Sequence, residues 1–126
     1  MEPTTVQETI LQRYRNGERK FPNAYLVNAD LRDADLSNAD LRTACLGFAD
    51  LRYADLSGAN LSNADLRLTY LSSAILRYAD LSGANLSNAD LRYADLSGAN
   101  LSNADLRDAD LSGADLSGAV GLNEKH

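Results

Sequence analysis

Histidine and cysteine are nearly missing from this chain, which has one of each, His126 and Cys45, in 126 residues. A lone cysteine forbids an intrachain disulfide, and no Cys/His spacing exists that would hold a metal. Cys45 reads as an incidental small residue on the outer surface. With the single His at the last position, no Ser/His/Asp or Cys/His set can be assembled, and no glycine-rich phosphate loop is present. The sequence therefore predicts no enzyme, no cofactor and no metal site. No uninterrupted apolar run could span a bilayer, and the N-terminus does not combine a basic start, an apolar stretch of signal-peptide length and a small-residue cleavage site. The expectation is a cytoplasmic protein of one domain, with no membrane contact.

What the chain does have is leucine at every fifth residue from Leu26 to Leu116. Residues 24–118 form nineteen five-residue phrases, each centred on Leu, and the residue two before it is Ala in every phrase except at Thr69. A period of five fits neither the 3.6 of a helix nor the 2 of a strand, so either element would smear these leucines over its whole surface. A repeat this short builds a solenoid: each phrase gives one short extended side with Leu pointing in, then bends. How many sides close a coil is not fixed by the period.

The run A-[D/N]-L-x-x resembles the pentapeptide-repeat family over about four-fifths of the chain. That resemblance implies an all-β solenoid, a right-handed quadrilateral β-helix with four phrases per coil and the Leu and Ala positions inside. Nineteen phrases would make just under five coils, a rod roughly 23 Å long at about 4.8 Å per coil. Residues 21–120 are then the β-helix, preceded by a capping segment 1–20 and followed by a short tail 121–126.

Residues 1–20 follow another grammar. Thr5-Val6-Gln7-Glu8 fits a capping box, and Val6, Ile10, Leu11 and Tyr14 fall on one helical face before Gly17. A helix over about 5–16 is expected to lay that face on the open end of the first coil, where Phe21 acts as the first core residue. Arg13, Arg15, Arg19 and Lys20 form a basic cluster that reads as a solvated helix face.

The position before Leu is Asp twelve times and Asn three times, at Asn60, Asn85 and Asn100. Asp and Asn share a short acceptor but not a charge, so the site needs the hydrogen bond, which Asx side chains give to backbone amides at bends. Ser follows Leu ten times and Arg seven times, partly neutralising the acidic rows. The net charge is −6. Some pentapeptide-repeat proteins are duplex-DNA mimics that occupy a type II topoisomerase, and an acidic rod invites that reading as the alternative function. Magnitude argues against it, because roughly 23 Å of duplex carries about fourteen charges. Calcium-roll nonapeptides are also missing, and Thr43 and Thr69 are too few for an ice-binding ladder.

Departures from the phrase carry the functional expectation. On a twenty-residue coil Phe48 and Leu68 stack on one outer corner with Tyr70 beside them, the next corner carries Tyr53, Ile75 and Tyr93, and Tyr78 lies one corner further. Outward apolar residues gathered in this way are what partner surfaces use as anchors, although stacked aromatics can also merely cover bends. The phrase falters at Ala119-Val120-Gly121, leaving an unfinished coil that would make the protein a monomer or a weak end-to-end dimer. The sequence thus points to a non-catalytic structural and protein-interaction module with an unknown protein partner and no direct nucleic-acid binding.

Overall fold

The computed structural model describes residues 6–122. Thr5 of the expected capping box, the Val6 side chain, and residues 123–126 with His126 lie outside the described residues. One helix, α1, spans Val6–Arg15 and stops at the turn before Gly17, whose φ is 100°.

From Lys20 onward the register is uniform. Every β-bridge is parallel and joins a residue to the one twenty further on, from Lys20↔Asp40 to Asn100↔Val120. Four phrases therefore complete one coil, and the rod has four sides. Side 1 carries Leu26, Leu46, Leu66, Leu86 and Leu106; side 2 carries Leu31 to Leu111; side 3 carries Leu36 to Leu116; side 4 carries Phe21 and Leu41 to Leu101. In the phrases up to Leu101 the Leu amide donates to the next coil, as in Leu26 N to Cys45 O at 2.7 Å, and the carbonyl before the bridge accepts from it, as in Cys45 N to Ala24 O at 2.9 Å. A third bond closes the bend, Ala29 N to Leu26 O at 3.0 Å. The fifth position of the phrase then takes positive φ, 63° at Asn28 and 67° at Gly58, as the third residue of a type II turn requires. This is why Asn and Gly recur there.

The core is a column of Leu and Ala, buried from Leu26 to Leu106. Thr69 replaces an inward Ala at 1% exposure and satisfies its hydroxyl by donating to Leu66 O at 2.8 Å. Toward the far end Leu111 and Leu116 are only half-buried, and Val120 and Leu122 are exposed. The bridge ladder nonetheless reaches Val120, so the register outlasts the leucines.

At the near end Ile10 and Tyr14 are buried in the same cluster as Phe21 and Leu26, with Leu11 packed against it. The Tyr14 hydroxyl donates to Ser37 O at 2.7 Å. The Arg19 guanidinium lies 3.7 Å from the Tyr14 ring centre and Arg13 lies 5.0 Å from that of Phe21, while Arg13 Nε donates to Glu18 at 2.7 Å. Half of the expected solvated basic face is thus engaged in ring and ion-pair contacts.

Candidate functional site

The register decides which of the outward apolar residues share a surface. Side 2 presents Asp30, Asp50, Tyr70, Asp90 and Asp110 in one bridged column, with Tyr70 seated between Asp50 and Asp90. Its edge toward side 1 is the corner column of Phe48 and Leu68; its edge toward side 3 is the column of Tyr53 and Tyr93. Phe48, Leu68 and Tyr70 are 41–52% exposed, and Tyr53 and Tyr93 are 65–69% exposed. Five of the six residues singled out for partner binding therefore lie on one side and its two edges. Ile75 does not join them. It is half-buried on side 3, bridged between Asp55 and Asp95. Tyr78 stands one corner further, as expected.

Each aspartate of side 2 is held by the Arg or Ser two residues on, and Arg32 Nε also lies 3.8 Å from Asp50 Oδ2 of the next coil. Asp30 Oδ1 accepts from the Arg32 amide at 3.3 Å and from Arg32 Nε at 2.9 Å, and Oδ2 accepts from Nη2 at 2.8 Å. Arg52 grips Asp50 and Arg92 grips Asp90 in the same bidentate way. In Asp110 the second partner is the Ser112 hydroxyl, at 2.6 Å. The Arg32 hydrogen bonds hold Asp30 down at a pKa of about 2, and those of Arg52 and Arg92 hold Asp50 and Asp90 below the usual carboxylate range. Ser112 lowers Asp110 likewise. Asn60 accepts from the Ser62 amide and hydroxyl with the same geometry as Asp, confirming that the Asx position serves a hydrogen bond. Where Ile75 removes the acid from its own phrase, Arg77 reaches instead to Asp95 of the next coil at 3.0 Å.

Four of these apolar residues occupy the corner position, whose positive φ is shared by every corner residue of the rod. Phe48, Tyr53, Leu68 and Tyr93 have φ between 59° and 63°, a region that costs a bulky L-residue about 1–2 kcal/mol. Two of the tyrosines also lie over a glycine twenty residues on. A Cβ at Gly98 would stand 2.6 Å from the Tyr78 ring, and one at Gly113 would stand 2.5 Å from the Tyr93 ring. These Tyr/Gly pairs went unnoticed in the sequence, where the signal is their separation of twenty. Tyr25, also exposed, was passed over as well; its mark is the missing Asx before Leu26. Among the described residues no group of three His, Cys, Asp or Glu side chains could hold a metal ion. No described helix is long and apolar enough to cross a membrane.

The family model described as Pentapeptide repeats matches residues 18–47, 49–88 and 84–120, in eight copies. No curated protein sequence matches the chain. Among solved structures, a pentapeptide repeat protein of the Arabidopsis thaliana thylakoid lumen is 30% identical over 88% of this chain and 74% of its own, with a TM-score of 0.76. Rfr23, a pentapeptide repeat protein of the cyanobacterium Cyanothece 51142, is 37% identical over 76% and 63%, with a TM-score of 0.50. QnrB1, a plasmid-mediated fluoroquinolone resistance protein, aligns at 22% identity over 84% and 76% with a TM-score of 0.40, too loosely to carry an argument. The structural neighbours are right-handed quadrilateral β-helices, and the twenty-residue register here gives the same four phrases per coil. Because almost the whole repeat body fits the family's sequence model, and its backbone fits the family's solved folds, the chain belongs to the pentapeptide-repeat family.

Proposed function

We propose that this protein is a non-catalytic protein-interaction module that docks an apolar partner surface on side 2. The observation behind it is that Phe48, Leu68, Tyr70, Tyr53 and Tyr93 share one side, four of them at strained corner positions where the same chain elsewhere mostly places Asn, Gly or Asp. Backbone strain kept without a local need is a mark of function. The carboxylates of side 2 favour this reading over the duplex mimic, because each already has an Arg or Ser partner instead of standing free. Around this surface we place α1, within residues 1–20, as the cap of the first coil, 21–120 as just under five coils, and 121–126 as a tail. The same proposal makes the protein cytoplasmic and a monomer or weak end-to-end dimer.

The test replaces the anchors with the residues this chain uses at equivalent positions: Phe48→Asn, Leu68→Asn and Tyr70→Asp. Relief of two strained corners should leave stability to urea equal or higher by about 1 kcal/mol, while a partner captured from source-cell extract at moderate salt is lost. A loss of more than about 1 kcal/mol would make the patch packing. Capture of gyrase only at low salt, by both forms, would favour the mimic.

A further inference from the structure

A cleft of about 410 Å³ opens between α1 and the corner joining sides 4 and 1 of the first coil. Its walls combine apolar surface from Ile10, Phe21, Ala24 and the exposed Tyr25 with the cations Arg13 and Lys20, and among the described residues no acid lines it. A predominantly apolar concavity with a few convergent polar groups is the usual form of a small-molecule site, and the volume lies in the usual range.

The charge distribution makes the cleft selective. The repeat body is acidic, yet here the lining charge is entirely positive. Lys20 makes no ion pair within 4 Å among the described residues, although its charge helps the Arg42 hydrogen bonds to lower the Asp40 carboxyl. The acid nearest to it in the ladder, Asp40, has its carboxylate turned to the Arg42 guanidinium at 2.8 and 2.9 Å. Arg13 gives Nε to Glu18 and lies over Phe21, which fixes its guanidinium at the cleft wall. An ammonium whose nearest carboxylate is already held by another cation, beside a pocket of aromatic and aliphatic carbon, suits one ligand chemistry, an anion attached to an apolar body.

We infer that this cleft binds a small organic carboxylate, its apolar body against Ile10, Phe21 and Tyr25 and its carboxylate at Lys20. The cleft lies away from Phe48, Leu68 and Tyr70, so the experiment stands apart from the docking proposal. The full chain is titrated with 2-naphthoate and followed by amide shifts in nuclear magnetic resonance. Saturable shifts at Ile10, Arg13 and residues 20–25 are expected, with Kd raised about fivefold by Lys20→Gln, by Tyr25→Ser and by the neutral analogue 2-naphthalenemethanol. Both side chains are exposed, so an unchanged melting temperature checks that the variants fold. Shifts that do not saturate at millimolar probe, that spread over the other sides of the rod, or that ignore Lys20→Gln would overturn the assignment.

Discussion

Sides 2 and 4 face opposite ways on one scaffold and share every backbone rule and the Asp–Arg pairing, yet they differ in what apolar surface they carry. Side 4 shows Asp40, Asn60, Asp80 and Asn100 with Arg42, Ser62, Ser82 and Ser102, and a single aromatic, Tyr78, at its edge. Side 2 has the same ladder and the same bends but gathers four large apolar groups around Tyr70. The inside of the coil admits Leu and Ala because the cross-section is fixed by the ladder, so variation is confined to three outward positions per phrase. A solenoid of this kind can change one face without consulting the others.

The largest effect should be blind to the difference between sides. Leu71→Ala beneath side 2 and Leu81→Ala beneath side 4 each open a cavity in a core exposed by 1% or less, and each should cost about 3 kcal/mol in urea unfolding. A gap between them greater than about 1 kcal/mol would mean that the outer residues of side 2 help to hold the core, and the two sides would no longer be equivalent inside.

Glycines at the corners measure ring packing apart from backbone cost, and both sides carry such a ring, since Gly98 on the edge of side 4 lies under Tyr78. Gly113 on the edge of side 2 lies under the Tyr93 ring, whereas Gly118 on the edge of side 4 has no side chain within 4 Å of an added Cβ. Gly118→Ala should show the backbone cost alone, about 1 kcal/mol at its φ of 70°. Gly113→Ala should cost about 1–2 kcal/mol, with the excess removed in a Tyr93→Ser background. Equal losses at the two glycines would show that the ring is not packed on the bend.

Acid gives the smallest and most graded effect. Asp30, with a folded pKa of about 2 against an ordinary 3.8, adds stability that is complete above pH 3.8 and disappears as pH falls through 2. Asp50, Asp90 and Asp110 on side 2 shift in the same direction, as does Asp40 on side 4. Melting temperature should therefore fall between about pH 4 and pH 2, and less steeply in high salt because these pairs are solvent-screened. Replacing the four side 2 aspartates with Asn, which keeps the acceptor, should flatten that fall more than Asp40→Asn on side 4 does. Equal flattening would remove the electrostatic distinction between the sides.

Much of this was legible in the residues. The five-residue spacing of Leu, with Ala two before it, specified a solenoid because no helix or plain sheet keeps such a period on one face. The exchange of Asp for Asn before Leu announced a side-chain acceptor, and Arg32 and Ser62 supply the donors. The helix at Val6–Arg15 followed from its apolar face. Less legible was the use of the basic cluster, since the contacts of Arg13 with Phe21 and Arg19 with Tyr14 join segments that only packing brings together.

By itself, then, the sequence determined what points inward and where the chain bends, because those depend on spacing within one phrase. Tertiary structure decided which outward residues are neighbours. A twenty-residue register set by backbone hydrogen bonds between coils seats Tyr70 between Asp50 and Asp90, excludes Ile75 from that side, and lays Tyr93 over Gly113. It also forms the cleft of Lys20 and Tyr25, which exists only where the helix meets the first coil.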